Sequence, residues 1–361
     1  MSKKVLVAMS GGVDSSVTAL LLKEQGYEVI GAHMKLWDYV DVGGDIYKDG
    51  RCCTIDSITD CRFVCDSIGA PFYVLNLSED FRRDVIDNFA AEYRAGRTPN
   101  PCVRCNSEVK WDVFLHKADQ LGCDFVATGH YAFIEQNSRG RWQIRKGVDK
   151  TRDQSYVLWG LSQEALSRTR MPLGILHKSQ VREAARKHNL RTAAKPESRE
   201  ICFVADNDYR RFLIEYEEKQ GRRYEPGEIV HENGTVMGQH RGTAFYTVGQ
   251  RKGLGIAHPT PLYVQKIDVE RNRVIVGDND SLFRASFEMQ DVNWVATEPE
   301  SEPFDAEVKI RYLHHPRPAR IEPLPDGRLR VTFHDQQRAI TPGQSAVFYD
   351  GDIVLGGGVI S

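Results

Sequence analysis

A chain of 361 residues in which 41% are hydrophobic and 27% charged can bury a large core, and its length points to two or three domains rather than one. The formal net charge of −2 gives no hint of a polyanionic partner, and no apolar run is long enough to span a bilayer. With no arginine-rich leader before the first apolar run and only eight cysteines, a disulfide scaffold is excluded; the expected setting is the cytoplasm, without a membrane partner and with thiols kept reduced for chemistry or metal.

Residues 5–9 form a continuous apolar run of the kind a strand buried on both faces requires, and 17–25 follow with helical spacing. Further strands are predicted at 28–34, 72–77 and 125–128, separated by helical patterns at 57–68, 79–95 and 108–121. Strands alternating with helices predict an α/β unit whose mostly parallel sheet is covered on both sides. Beyond Cys202 the texture changes. Residues 208–220 read as a charged amphipathic helix, and from Gly227 short alternating strands are separated by Glu-Asn-Gly, Pro-Asp-Gly and Tyr-Asp-Gly turns, giving two β-rich modules. The polar, proline-bearing stretch 297–303 suits an exposed loop at the edge of the last module.

Charge is segregated although the total is near zero. Between Arg139 and Arg199 there are fifteen Lys/Arg against five Asp/Glu, a local excess of +10. It spreads over loop-like and helix-like sequence, which favours a patch facing phosphates over a single solvated helix face.

Ser10-Gly11-Gly12-Val13-Asp14-Ser15-Ser16 lies between the first strand and the first helix, where backbone N–H groups and the helix dipole favour an anion. The glycines let the backbone approach a pyrophosphate, the three serine hydroxyls add donors, and Asp14 can hold Mg2+ or a water bound to it. A Gly-rich turn with a serine cap is the plainer alternative. Against it, this polar loop follows the carboxyl end of a parallel strand, where the fold presents ligands. The lysine of a Walker A loop is missing, so cleavage of the terminal phosphate is not what the loop suggests.

Residues 96–110 carry two prolines and Cys102-Val-Arg-Cys105, which opens a helix; a cysteine at a helix N-terminus beside arginine has its thiolate favoured. Cys202 follows a basic, helix-breaking segment. Cys102 and Cys105 could form half of a zinc site, but no second Cys-x-x-Cys or spaced histidine pair completes it. Cys61, Cys65 and Cys123 read as core, and the adjacent Cys52 and Cys53 as structural. His314 and His315, beside Arg311, Arg317 and Arg320, read as part of a basic RNA-facing surface, and the scattered tryptophans as core.

The heptapeptide from Ser10 matches the PP-loop of the N-type ATP pyrophosphatases, which activate a carbonyl or carboxylate oxygen with AMP and release pyrophosphate. GMP synthetase, NAD synthetase and argininosuccinate synthase share it, so the loop does not name the acceptor. Further stretches narrow the choice: Thr98-Pro-Asn-Pro101 with Cys105-Asn106, Ala127-Thr-Gly-His-Tyr-Ala132, Asp153-Gln-Ser-Tyr156, Ser198-x-x-Ile-Cys-Phe203, Tyr246 to Gly255, Arg311-Tyr312 and Thr341-Pro-Gly-Gln344. With them the chain resembles the bacterial tRNA-specific 2-thiouridylases over essentially its whole length.

The resemblance implies a PP-loop catalytic domain over residues 1–205, a small central α+β module over 206–278, and a tRNA-contacting C-terminal β-barrel over 279–361. It implies adenylation by ATP of the C2 oxygen of the wobble uridine, with sulfur supplied by a Cys202 persulfide. Cys105 is then the catalytic partner, completing transfer through a disulfide with Cys202. ATP is expected at Ala8, Met9, Ser10, Gly11, Gly12, Val13, Asp14 and Ser15, with Met34 and Gly129; the target base at Asn100, Pro101 and Cys102. The tRNA is expected at His130, Arg152, Asp153, Gln154, Arg311, Tyr312 and Gln344, and a persulfide-carrying sulfur donor protein is the second partner. Many members carry an aspartate where this chain has Cys102. Its absence puts a carboxylate-assisted step in doubt and leaves open a 4Fe-4S cluster on Cys102, Cys105 and Cys202. Two rivals remain at this level: a PP-loop synthetase acting on a small molecule, and a tRNA-binding or iron–sulfur carrier protein that no longer turns over ATP.

Overall fold

The computed structural model describes residues 2–37, 55–196, 201–204 and 206–361; Cys52, Cys53 and Ser198 lie outside them. The first unit contains β1 (Lys4–Ala8), β2 (Glu28–Lys35), β3 (Phe72–Asn76), β4 (Phe125–Ala127), a hairpin of β5 (Ala132–Gln136) and β6 (Trp142–Lys146), and β7 (Thr169–Arg170). Five of these form a parallel sheet in the order β3-β2-β1-β4-β7. Alternation along β1 explains why its run is apolar throughout. Leu6 and Ala8 face Trp111, Phe114 and Leu115, while Val5 and Val7 face Val13, Val17, Leu20 and Val64. Each fully buried Val or Leu contributes roughly 1.5–3 kcal/mol.

Cys61 and Cys65, on the Ile55–Ser67 helix, are fully buried in the second of these layers, and burial pushes both thiols up to about 12. Cys123 is buried as well. The core reading of these three cysteines holds.

The helix predicted at 108–121 begins earlier, at Pro101. Asn100 accepts a hydrogen bond from Val103 N at 3.4 Å and Pro101 occupies the first turn, the arrangement that starts a helix with the fewest orphaned donors. The segments Pro101–Arg104, Cys105–Val113 and Phe114–Gln120 abut, the middle one wound more widely than an α-helix. Both cysteines of Cys-x-x-Cys therefore lie on its opening turns.

The helix predicted at 208–220 is Tyr209–Lys219, capped by Asp208, which accepts from Arg210 N and Arg211 N at 3.1 Å each. A four-stranded sheet follows, made of β8 (Gly227–His231), β9 (Val236–His240), β10 (Tyr263–Asp268) and β11 (Arg273–Gly277) in the order β10-β11-β8-β9. The last module has β12 (Phe283–Trp294), β13 (Phe304–Lys309), β14 (Arg317–Pro323), β15 (Leu329–Arg338), β16 (Ser345–Asp350) and β17 (Ile353–Ile360), and β12 pairs with β17 to close a six-stranded barrel. No described helix is long and apolar enough to cross a membrane.

One hairpin lies outside the strands read from the sequence. Residues 132–146 do not extend the parallel sheet; β6 pairs with β17, with Ile144 opposite Val354 and Arg145 opposite Ile353, so the β5–β6 hairpin lengthens the barrel's sheet. Ile144 and Val354 are fully buried there in the same cluster as Tyr156 and Tyr349.

A separate cluster joins the first unit to the middle one, running from Leu36 and Trp37 through Phe81, Phe89 and Cys105 to Phe212, Ile229 and Val274. Its hub is Phe203, 1% exposed, whose ring meets Phe89 and Phe212 at 5.2 Å and Phe81 at 5.7 Å between centroids, all edge-on. That anchor fixes the position of its neighbour Cys202.

Candidate active site

The loop after β1 is built to receive an anion. Ser15 Oγ donates to Gly12 O at 3.1 Å and accepts from Ser10 N at 3.2 Å, while Ser16 Oγ donates to Gly12 O at 2.9 Å. No side chain caps the Val13–Glu24 helix at Gly12, so its first N–H groups face the loop. Gly11 has φ +74°, and a Cβ there would stand 2.7 Å from Ser57 O. A Cβ on Gly129 would stand 2.9 Å from Asp14 C and 3.0 Å from Ser15 N, which ties the 127–132 stretch directly to the loop. The two segments singled out in the sequence thus pack backbone on backbone. Met34, at the end of β2, is half-buried against the clusters on both sides of the site.

Asp14 is engaged on the protein side. Lys178 Nζ donates to both of its carboxylate oxygens at 2.7 Å, and Tyr131 Oη donates to Oδ1 at 2.7 Å. Lys178 opens the Lys178–Lys187 helix and is only 8% exposed. The loop has no lysine of its own, yet a cation reaches it from far along the chain.

Cys105 is 8% exposed and belongs to the cluster centred on Phe203, against which Cys202 packs half-buried. The fold therefore brings both sulfurs named by the sequence into one apolar neighbourhood. Cys102 is exposed to solvent, with protein packed around it at longer range. Burial raises its thiol pKa, and Lys110 partly offsets this. His130 is half-buried, and burial first and Lys110 second push its pKa well below the usual value, so the ring is neutral. Its Nδ1 is 2.7 Å from Thr128 Oγ1 and its ring lies 5.6 Å from Trp111. Lys110 Nζ is held at 2.9 Å by Asn106 Oδ1, whose amide donates to Val157 O at 2.8 Å. Burial, Asp153 and Cys102 together hold the phenol of Tyr312 above its ordinary pKa.

Several residues expected at tRNA have defined contacts within the protein. Gln154 Oε1 accepts from Tyr131 N at 3.0 Å. Asp153 Oδ1 accepts from Gly147 N and Ser155 N at 3.1 Å each, and Asp153 O accepts from Tyr312 Oη at 3.2 Å. Gln344 Nε2 donates to Thr98 O at 2.9 Å and Pro99 O at 3.1 Å, and Thr98 N donates to Pro342 O at 2.8 Å. Asn100 also bonds the buried Tyr156 hydroxyl, which donates to Ser345 O at 2.8 Å. The barrel thus grips the loop that leads into the cysteine helix. Arg152 is half-buried, and Arg311 donates to Arg338 O at 3.2 Å; burial and the Arg338 charge lower the pKa of Arg311.

Among the described residues, no group of three or more His, Cys, Asp or Glu side chains stands together as metal ligands. Cys102 is exposed, Cys105 buried and Cys202 half-buried, and the three do not stand together as such a group. The residues the sequence reading missed are Lys178, Tyr131, Lys110 and Lys309. Lys309 lies with Nζ 5.4 Å from the Tyr156 ring centroid and 5.5 Å from that of Tyr312. Tyr131 stood inside a quoted motif and Lys178 inside the basic segment; nothing in the sequence pointed either at Asp14.

Comparison with known proteins follows the same division of the chain. Residues 3–206 match the tRNA methyl transferase HUP domain family, 211–278 the tRNA methyl transferase PRC-barrel domain, and 284–360 the aminomethyltransferase beta-barrel domain. A 4-thiouridine synthetase–RNA complex with bound ATP superposes on 59% of this chain and 50% of its own at a TM-score of 0.34 and 14% identity, and no site correspondence is drawn from it. The tRNA-specific 2-thiouridylase MnmA of Geobacter metallireducens is 52% identical over 99% of this chain and 96% of the relative. That of Geotalea uraniireducens is 52% identical over 99% of this chain and 95% of the relative. Identity at that level from end to end means that the chain belongs to the tRNA-specific 2-thiouridylase family.

Proposed function

We propose that this chain replaces the C2 oxygen of the wobble uridine of tRNA with sulfur, consuming ATP and releasing AMP and pyrophosphate. The observations that carry the reading are that Cys105 and Cys202 both belong to the apolar cluster around Phe203 and that the PP-loop helix starts with no side-chain cap. A urea-like carbonyl oxygen is a poor leaving group and AMP a good one, so the oxygen must first be adenylated. Phosphates of ATP lie against the uncapped N–H groups of residues 12–15, and the uridine O2 forms a bond to the α-phosphorus as pyrophosphate leaves. Mg2+ bound with ATP would neutralise charge on the departing pyrophosphate, and Asp14 is the loop carboxylate able to hold it.

The terminal sulfur of a Cys202 persulfide then attacks C2, and AMP departs. The Cys105 thiolate attacks Cys202 Sγ, the S–S bond to the base breaks, and the products are a C2 thiocarbonyl and a Cys105–Cys202 disulfide. Two electrons from a thiol reductant reset the enzyme. The base is placed at Asn100, Pro101 and Cys102, with neutral His130, Arg152, Arg311 and Tyr312 toward the RNA. The sulfur arrives on a persulfide-carrying donor protein.

The test is a reconstitution with unmodified tRNA, ATP and a persulfide-loaded donor, followed by digestion of the tRNA and mass spectrometry of the nucleosides. One 2-thiouridine per pyrophosphate is expected, and Cys202→Ser should release pyrophosphate without forming it. Pyrophosphate release at full rate without tRNA would favour a small-molecule synthetase instead.

A further inference from the structure

We propose that Cys102 is a resolving thiol: after each sulfur transfer it attacks the Cys105–Cys202 disulfide at Cys105, moving the oxidation to a Cys102–Cys105 bridge and releasing Cys202 for reloading. The inference rests on the sulfur-transfer reading above, which leaves that disulfide behind.

The argument begins with access. A Cys105–Cys202 bridge would lie at the cluster around Phe203, where Cys105 is 8% exposed and Cys202 half-buried, so Cys102 is the more exposed of the three thiols for a protein reductant. Cys102 meets solvent and lies three residues before Cys105 on one helical turn, with Cys105 N–H bonded to the carbonyls of both Cys102 and Pro101. One helical turn separates two such Cα atoms by about 5 Å, within the span a disulfide bridges. Asn100 and Pro101 fix the start of that turn, which holds the two Cα atoms at that spacing. The exchange balances without an added oxidant. A Cys102–Cys105 bond forms as the Cys105–Cys202 bond breaks, Cys202 leaves as a thiolate, and an external dithiol reduces the new bridge by attack at Cys102. The raised pKa of Cys102 makes it a strong nucleophile once ionised and a poor leaving group, which favours capture over reversal; Lys110 aids the ionisation.

The test traps the enzyme after one turnover with a persulfide donor and no reductant, by acid quench, alkylation and peptide mass spectrometry. Wild type is expected to hold the Cys102–Cys105 disulfide and Cys102→Ser the Cys105–Cys202 disulfide. With a thioredoxin-type reductant, later turnovers of Cys102→Ser should fall about tenfold relative to its own first turnover, and a small phosphine reductant should restore the ratio. A wild-type enzyme that accumulates only the Cys105–Cys202 disulfide overturns the proposal while leaving the transfer reading intact. Formation of 2-thiouridine with no Cys105–Cys202 disulfide in Cys102→Ser overturns both.

Discussion

Lys178 Nζ sits 2.7 Å from each carboxylate oxygen of Asp14, joining the opening turns of two helices 164 residues apart in the chain. The pair places a cation beside the uncapped N–H groups of the PP-loop, where departing pyrophosphate needs one. Asp14→Ala should therefore abolish adenylation and leave tRNA affinity nearly intact. Lys178→Met should lower pyrophosphate release about 10²–10³-fold, the scale of losing one preorganised charge at a reacting phosphate. Release at the wild-type rate from either variant, measured with saturating tRNA, would contradict the assignment. Asp14→Ala also takes from the buried Lys178 the carboxylate that both its described ion-pair bonds reach, so its melting temperature should fall more than that of the Asp14→Ala/Lys178→Met double variant.

Phe203 anchors Cys202 through three edge-on ring contacts. Phe203→Ala should cost about 3–5 kcal/mol in chemical denaturation. Phe203→Leu should cost less, and in the folded protein it should still slow oxidative cross-linking of Cys105 to Cys202. An unchanged cross-linking rate would mean that the aromatic cluster does not hold Cys202 in place.

Salt dependence addresses the RNA surface. Reversing charge at Arg152 or at Arg311 should weaken tRNA binding and lower the slope of log K against log salt by about one for each phosphate contact removed. Unchanged slopes in both variants would move the surface elsewhere.

His130 carries a pH signature. Its pKa is lowered on folding, so below the ordinary value near 6.5 the unfolded chain binds a proton that the folded one does not, and stability falls as pH drops from 7 toward 5. His33, His240 and His314 are lowered as well and act in the same direction. The His130 contribution is the difference between wild type and His130→Gln, whose melting temperature should decline less steeply over that range. Parallel curves would contradict it.

The parallel sheet was legible because β1 must be apolar on both faces, a pattern no half-exposed strand shows, and the PP-loop was legible because its residues are contiguous. The β5–β6 hairpin was not, since its five-residue strands join a larger sheet only where β6 meets β17, more than two hundred residues later. The same holds at the site. Cys105 and Cys202 stood out as residue types, whereas Gln154 and Gln344 are held by side-chain hydrogen bonds with distant backbone that leave no local mark. Lys178 appeared only as one charge among fifteen in the basic segment, because the identity of its partner is a property of the fold.

The pairing of β6 with β17 makes the polypeptide a closed circuit in which the last strand is bonded back to a hairpin of the opening unit. Cutting the gene at codon 205 would keep every residue of the PP-loop and the Cys-x-x-Cys helix, yet strip the outer neighbour from β6 and remove Gln344 from the carbonyls of Thr98 and Pro99. The fragment would carry an open strand edge, the feature that templates aggregation, and an entry loop to the cysteine helix with no clamp. Family boundaries along such a sequence mark inherited modules, while the smallest piece able to work is the whole ring.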